Sequence, residues 1–385
     1  MAKQKHKVPL KVRFYRAKNT GILTFVDKLI DKIHPSKKCE ELPGEILFNR
    51  NDKIGDALVT VPVLRDLKLN HPSVIIDVLC SEINSFIFTG LPFINKIHIY
   101  NKDNHPELEF RLKAEKYGAI VDLVSMDKKV IRLLKRSSPF IAGSRMFGFS
   151  WMYDYYLPTN WVSEYDDVPI SMKIEKLLID CFGYKFTKRD KTLPYHNKYK
   201  SPVEGKEFDI FFHLGTSKIR KLNEEIEENL INQLEKYKVL ITDGGKTERF
   251  EKYKTKYSGV KNFTFRLYEN IEDIMPDVSK SQVVLCYDGG QAHLMGELTR
   301  CIVMVGSISP KQWSPYDFSI YSLHKKWDNG VEAYISGENK RHIAINFPTW
   351  CTPCFNIGCN TRPCINNILP EEVMEIINNC LHADS

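Results

Sequence analysis

Short apolar runs alternate with segments of helical periodicity along most of the chain. An apolar run at 46–48 is followed by a polar loop, by helical spacing of apolar residues at 57–69, and by a second apolar run at 74–79. A strand, a crossover helix and another strand form a βαβ unit, whose two strands lie parallel in one sheet. The pattern therefore predicts an α/β protein built on parallel sheets.

The alternation continues through the chain with one interruption. Strands are predicted at 97–100 and 120–123 with a helix at 107–117 between them, and the stretch 187–207 is then rich in charges and turn residues. A second series of short apolar runs follows at 208–214, 239–242, 283–286 and 301–305. We expect two facing Rossmann-like domains, which bind ligands at the carboxyl ends of their strands.

The predicted domains cover most of the sequence. Residues 44–200 form the N-terminal domain and residues 201–385 the C-terminal domain, which includes a cysteine cluster and a final helix. Residues 1–43 form a basic extension, in which apolar residues at helical spacing predict a short helix at 22–33.

Composition narrows the class of protein. The 385 residues suffice for two cores, and 43% hydrophobic with 27% charged residues is typical of globular rather than disordered or membrane-spanning chains. The longest apolar runs fall well short of the roughly 18 residues that span a bilayer. No signal-peptide pattern is present, so we expect a cytoplasmic location.

The net charge of +7 is concentrated near the start of the sequence. Seven basic residues precede the first acidic one: Lys3, Lys5, Lys7, Lys11, Arg13, Arg16 and Lys18. Such a segment is either a solvated tail or one that docks peripherally on the anionic surface of the inner membrane. Its basic residues are not interleaved with aromatic residues in a recognised nucleic-acid-binding pattern and no such module follows it, so we expect no nucleic-acid partner.

The first candidate for chemistry is the loop 49–56, which runs from a predicted strand into a predicted helix. Gly55 permits a tight turn there, and Asp56 ends the loop at the helix start. Asp56 is then either a helix N-cap or a carboxylate that accepts a proton from a substrate hydroxyl. The spacing alone does not separate these two roles.

Loops of the second half suit a nucleotide. Thr216, Ser217 and Lys221 follow a strand and combine hydroxyl groups with a mobile positive charge, which suits phosphate oxygens. Glu248 also follows a strand, where a carboxylate commonly accepts hydrogen bonds from ribose, although it equally suits the first turn of a helix.

The segment 287–293 has the strongest ligand-binding pattern. Asp288 is followed by Gly289 and Gly290, which let the backbone approach a ligand and expose amides at a helix start. His293 by itself is more typical of a core histidine. The later loop 306–315 carries Trp313 between glycine and proline residues, as a rigid turn or as one wall of a sugar or base pocket.

Ten cysteines divide into two groups. Six are scattered through apolar runs and are expected to be reduced core residues: Cys39, Cys80, Cys181, Cys286, Cys301 and Cys380. The other four lie close together: Cys351, Cys354, Cys359 and Cys364. They start with a CxxC pair, which is typical of a structural zinc or iron site, or they remain metal-free thiols or disulfides.

Taken in order, the loops resemble those of the bacterial ADP-heptose:lipopolysaccharide heptosyltransferases, glycosyltransferase family nine. The resemblance extends from about Gly44 to Leu381 and is carried by ILFNRNDKIGDALVTVPVLRDLK, GTSKIRK, DGGKTE, YDGGQAHLMGEL and VGSISPKQWSPY. It implies a GT-B fold, an ADP-sugar donor and transfer of heptose to the lipopolysaccharide or lipooligosaccharide core, without a metal or other cofactor at the reaction centre. Many relatives carry a similar cysteine pattern.

The resemblance also implies roles for individual residues. Asp56 is the general base; Thr216, Ser217 and Lys221 hold the diphosphate, and Glu248 meets the ribose. Lining the donor sugar and phosphates are Asp288, Gly289, Gly290 and His293.

Gly289 departs from the family pattern, which usually has serine or threonine there. Two alternatives therefore stay open. One is a family-nine transferase with another nucleotide sugar or a protein acceptor. The other is a sugar-nucleotide-binding relative without turnover.

Overall fold

The computed structural model describes residues 29, 32–101, 103–124, 128–144, 150–157, 168–192, 205–217, 220–315, 321–336, 341–349 and 359–382. These form two compact units, one within Met1–Asp166 and Ile170–Asp190, the other within Asp167–Pro169 and Lys191–Ser385. The helix predicted at 22–33 falls almost entirely outside the described residues. No helix in the described ranges is long and apolar enough to cross a membrane.

The first unit alternates strands and helices: β1 Glu45–Arg50, α1 Ile54–Asn70, β2 Ile75–Cys80, α2 Ser85–Phe88, β3 Lys96–Ile99, α3 His105–Glu115, β4 Ala119–Asp122, α4 Lys128–Ser137, β5 Ile141–Ser144, β6 Tyr155–Leu157 and α5 Ile170–Phe182. The sheet order is β3-β2-β1-β4-β5-β6, with every neighbouring pair parallel. The order reverses beside β1, as it does in doubly wound sheets.

Helix α1 begins at Ile54, three residues before its predicted start. Its residues from 57 to 67 are all buried, so packing on several sides, more than an amphipathic pattern, stabilises this helix. Helices α3 and α4 bury Leu108 and Leu134 in one apolar cluster with Leu47 and Ile120 of the sheet. They therefore cover one face of the sheet together.

The second unit contains β7 Phe208–His213, α6 Glu224–Gln233, β8 Val239–Thr242, α7 Glu248–Lys256, β9 Phe263–Phe265, α8 Met275–Ser279, β10 Ser281–Tyr287, α9 Gly290–Gly296, β11 Arg300–Val305, α10 Pro310–Trp313, β12 Ser322–Lys326, β13 Glu332–Ile335, β14 Ile343–Asn346, α11 Pro363–Asn366 and α12 Pro370–His382. The sheet order is β12-β13-β14-β11-β10-β7-β8-β9. The strands from β14 to β9 are parallel.

One edge of this second sheet differs from the predicted parallel arrangement. Strands β12, β13 and β14 pair antiparallel, and β12 is largely exposed and rich in polar residues. An edge strand needs little apolar surface, so the apolar-run pattern did not reveal it. The predicted α/β class with two Rossmann-like parts is confirmed, and the carboxyl ends of β7, β8, β10 and β11 lie side by side.

Candidate functional site

Two of the predicted loops of the second unit lie against each other. Strands β7 and β10 are hydrogen-bonded neighbours, so the loops after them leave the same edge of the sheet. Thr216 Oγ1 donates a hydrogen bond to the carbonyl oxygen of Asp288 at 2.8 Å, and the Gln291 side-chain amide donates to the carbonyl of Gly215. The fold therefore joins GTSKIRK to YDGGQAH.

An ion pair strengthens this junction. Arg220 Nη1 lies 2.7 Å from Oδ2 of Asp288, whose side chain is buried. The sequence pattern singles out Asp288 but not Arg220, although Arg220 stands directly before Lys221. A buried carboxylate requires a partner, and here that partner comes from the neighbouring loop. Ser217 is exposed, and its carbonyl accepts a hydrogen bond from the Arg220 amide at 2.9 Å.

The Lys221 side chain is only 11% exposed. Its Nζ lies 3.8 Å from Oδ1 of Asp243, an ion-pair distance longer than a hydrogen bond. Burial lowers the pKa of Lys221, and the nearby Asp243 carboxylate opposes that shift. Asp243 also accepts hydrogen bonds from the Gly244 amide at 2.7 Å and from Thr247 Oγ1 at 2.6 Å. Asp243 thus anchors its own loop while facing the lysine.

Two arginines hold the backbone at and after Lys221. Arg362 Nη1 donates to the Lys221 carbonyl oxygen at 2.7 Å, and Arg249 Nη2 donates to the Leu222 carbonyl oxygen at 3.0 Å. These arginines lie on the segment before α11 and on α7, far from Lys221 in sequence. No local sequence pattern marks either arginine as part of the site.

Arg249 is itself positioned by a buried carboxylate. Its Nε lies 2.7 Å from Oε2 of Glu227, which is fully buried on α6. The Tyr287 hydroxyl donates a second hydrogen bond to Glu227. Burial raises the pKa of Glu227, while the charge of Arg249 opposes the rise. The three side chains link α6, α7 and β10 beneath the Lys221 loop.

Glu248 is the first residue of α7 and is exposed. Thr247 caps this helix, since its side chain accepts a hydrogen bond from the Phe250 amide at 3.1 Å. Glu248 therefore lies in the first turn of a helix, one of its two predicted positions, and its carboxylate is accessible to solvent. Its contact with a ribose stays a prediction.

The Gln291 side chain occupies the space beside Gly289. A Cβ atom on Gly289 would lie 2.5 Å from Oε1 of Gln291, so a larger residue requires that side chain to move. The Gln291 amide bonds to the Gly215 carbonyl and occupies this space. Gly290 begins α9 directly after Gly289. The departure from the family pattern at Gly289 thus accompanies an amide that ties two loops together.

His293 is buried on α9, as the core-histidine interpretation expected. Burial lowers its pKa to about 4, opposed by a hydrogen bond with the backbone of Trp313. The imidazole is therefore neutral at neutral pH and adds no positive charge to an anion site. His293 thus connects α9 with α10. A contact with the donor sugar stays a prediction.

Asp56 belongs to the first unit. It is the third residue of α1 and half-buried, while Lys53 occupies the N-cap position. The N-cap interpretation of Asp56 is therefore wrong, and Gly55 lies within the first helical turn instead of forming a tight turn before it. Arg50 at the end of the preceding strand donates hydrogen bonds to Thr60 Oγ1 of this helix at 2.9 Å and to the Leu123 carbonyl oxygen at 3.0 Å.

Two of the four clustered cysteines, Cys359 and Cys364, belong to the described residues. Cys351 and Cys354 lie outside the described residues. Cys359 Sγ accepts a hydrogen bond from the Arg362 amide at 3.4 Å, and Cys364 is buried in α11. Within the part of the chain that is described, no group of three or more His, Cys, Asp or Glu side chains could hold a metal ion. The zinc or iron site stays a prediction.

Gly215 lies where the loop leaves no space for a side chain. A Cβ atom there would lie 2.5 Å from Nε2 of His213 and 2.7 Å from the Gly244 amide nitrogen. We expect Gly215→Ala to lower the free energy of unfolding by about 1–3 kcal/mol, because backbone must shift. Urea unfolding measures this. Gly245→Ala is the control, since nothing lies within 4 Å of its Cβ position. Equal stability of both variants would contradict the packing.

Comparison with known proteins gives a likeness of structure. No protein-family model and no curated protein matches the sequence. Escherichia coli heptosyltransferase WaaC with ADP is 16% identical with a TM-score of 0.64, over 87% of this chain and 99% of that chain. E. coli ADP-heptose lipopolysaccharide heptosyltransferase II is 14% identical with a TM-score of 0.64, over 88% and 99%.

A third solved structure agrees with these two. The family 9 glycosyltransferase from Veillonella parvula DSM 2008 is 13% identical with a TM-score of 0.68, over 91% of this chain and 100% of that chain. At such identities the likeness concerns the fold. The chain therefore has the GT-B fold that these glycosyltransferases share, as its motifs predicted.

Proposed function

We propose that this protein is an inverting glycosyltransferase that transfers heptose from ADP-heptose to the lipopolysaccharide or lipooligosaccharide core. The observation that carries the proposal is the joining of the Lys221 loop and the Gly289–Gly290 loop at the carboxyl ends of adjacent parallel strands. Solved structures of this fold include WaaC with ADP and with ADP-2-deoxy-2-fluoro heptose.

The diphosphate end of the donor would rest on the loop after β7. Lys221 supplies a partly desolvated positive charge beside it. The Thr216 hydroxyl hydrogen is already donated to the Asp288 carbonyl, so Thr216 would bind phosphate through its backbone amide. Ser217 is exposed and keeps its hydroxyl for a phosphate oxygen. Glu248 would accept hydrogen bonds from the ribose.

The sugar end would be lined by the loop after β10, with Asp288, Gly289, Gly290 and His293. In the proposed reaction an acceptor hydroxyl attacks the anomeric carbon while Asp56 takes its proton. The bond from that carbon to the diphosphate breaks, ADP leaves and the anomeric centre inverts. Negative charge grows on the leaving group, where Lys221 stabilises it. We propose that no metal or other cofactor takes part at the reaction centre.

The acceptor would be a lipid-linked glycan. We therefore propose that the protein works in the cytoplasm, peripherally on the inner membrane. The basic residues between Lys3 and Lys18 support this location, because each basic residue near an anionic lipid surface is worth about 1 kcal/mol.

A panel of ADP- and UDP-sugars tests the donor. We expect ADP-heptose to bind more tightly than the UDP-sugars and to be hydrolysed slowly without acceptor, as followed by calorimetry and by ADP release. A response to UDP-sugars alone would overturn the proposed donor. Tight binding without hydrolysis or transfer to any tested acceptor would favour a binding protein without turnover.

Gln291 favours a second candidate, a transferase for another ADP-sugar. Its amide fills space beside Gly289, where relatives usually have a serine or threonine hydroxyl, so the sugar end presents different hydrogen-bonding groups. The same panel decides between the two donors. A higher kcat/KM for another ADP-sugar than for ADP-heptose would favour this second candidate.

Replacing Lys221 with alanine tests the phosphate site. We expect transfer to slow by roughly 10²–10³-fold, the usual loss for one transition-state donor, with weaker ADP binding. Steady-state kinetics and calorimetry with ADP measure the two effects. The matched control is Lys261→Ala, since Lys261 is an exposed lysine outside the proposed nucleotide-binding loops. Unchanged ADP affinity in the Lys221 variant would remove this residue from the site.

A further inference from the structure

Helix α4 of the first unit has one strongly basic side. Its ten residues include five basic residues and no acidic one. Val130, Ile131, Leu133 and Leu134 are buried in the apolar cluster beneath the helix. The opposite side is exposed and consists of Lys129, Arg132, Lys135 and Arg136. The helix therefore packs normally on the sheet and presents a positive surface outward.

Two large aromatic side chains flank this surface. Trp151 is 47% exposed, and its 3₁₀ turn is tied to α4 because Lys135 Nζ donates to the Met152 carbonyl at 3.0 Å. Phe110 is 77% exposed on α3, the helix that neighbours α4. Exposed rings of this size beside basic groups are typical of a contact surface.

Helix α3 does not supply the excess positive charge. Its Glu109 lies 2.7 Å from Lys113 and 3.6 Å from Arg136 of α4, and Glu107 lies 3.7 Å from Arg111. Acidic and basic groups thus largely offset each other on α3. The net positive charge of this face comes from α4.

We propose that this face docks on the surface of an anionic phospholipid bilayer. It is formed by Lys129, Arg132, Lys135, Arg136, Phe110 and Trp151. Basic side chains meet lipid phosphates, while tryptophan and phenylalanine rings enter the headgroup level. The rings stand on the two elements beside α4 and are not interleaved along it, which suits a flat surface better than a nucleic-acid strand. The proposal gives a contact face on the folded first unit to the peripheral membrane location proposed above, and its test does not depend on glycosyl transfer.

Vesicle flotation with the full-length protein tests the docking face. Vesicles of phosphatidylcholine alone are compared with vesicles of equal parts phosphatidylcholine and phosphatidylglycerol. We expect binding to the anionic vesicles only, weakening as salt is raised. Replacing Lys129, Arg132, Lys135 and Arg136 by glutamine should lower the partition coefficient by almost three orders of magnitude, since each contributes roughly a fivefold gain.

The control variant removes the same number of positive charges elsewhere. Lys236, Lys238, Lys254 and Lys261 are exposed residues of the second unit, and their replacement by glutamine should leave most of the binding intact. Both variants keep the basic N-terminal segment, so its contribution is common to them. Equal losses in the two variants would show an effect of net charge alone and overturn the docking face.

The aromatic residues give a second readout. Trp151→Ser together with Phe110→Ser should weaken vesicle binding about tenfold without changing the net charge. Failure of the wild-type protein to bind anionic vesicles would contradict the proposal. So would tighter binding of the α4 face to a single-stranded oligonucleotide than to vesicles, because the partner would then be nucleic acid.

Discussion

The Asp56→Asn variant is expected to lose nearly all glycosyl transfer, a fall of roughly 10²–10⁴-fold in kcat. The substitution keeps the size and polarity of the side chain but removes the group that accepts the proton of the acceptor hydroxyl. Asp56 lies in the first turn of α1, within the first unit. The affinity for ADP should stay near normal, since the proposed ADP contacts belong to the second unit.

Heptose transfer measured with ADP-heptose, together with calorimetry with ADP, separates the two effects. Asp52→Asn is the matched control, because Asp52 is a carboxylate in the short loop directly before α1 and its Oδ2 lies 3.1 Å from Arg50 Nη1. That variant should retain most of its kcat. A fully active Asp56→Asn enzyme would show that another group takes the proton.

Arg249→Met is expected to lower the free energy of unfolding by about 3–5 kcal/mol. The substitution keeps much of the side-chain volume but leaves the carboxylate of Glu227 buried without its ion-pair partner. The hydrogen bond to the Leu222 carbonyl is also lost, so the Lys221 loop loses one of its two arginine supports. Urea unfolding followed by circular dichroism measures the change in stability.

A double variant distinguishes the two consequences. Glu227→Gln combined with Arg249→Met removes the buried charge and should recover much of the lost stability. Both the single and the double variant should bind ADP more weakly than the wild type, because neither has the hydrogen bond from Arg249 to the Leu222 carbonyl oxygen. Lys252→Met is the control on the same helix, since its pairs with Glu224 and Glu228 are at the surface. A double variant as unstable as the single one would contradict the ion-pair account.

The positions of eight of the fourteen strands in the described residues followed from local sequence. Apolar runs at 208–214 and 239–242 correspond within one residue to β7 and β8. Parallel strands that are buried on both faces need continuous apolar residues, so they can be recognised in the sequence without knowledge of the fold. The edge strand β12 escaped prediction because an exposed strand is under no such requirement.

The sequence by itself determined the α/β class, the succession of strand-end loops and the presence of Lys221, Glu248 and Asp288 in them. Only the tertiary structure decided which groups support those residues. Arg362 reaches the Lys221 carbonyl across 141 positions of the chain, and Tyr287 reaches Glu227 across 60. A buried charge or carbonyl group needs a hydrogen-bond or ion-pair partner, and that partner can lie anywhere in the sequence. Short-range sequence patterns therefore do not predict which residue it is.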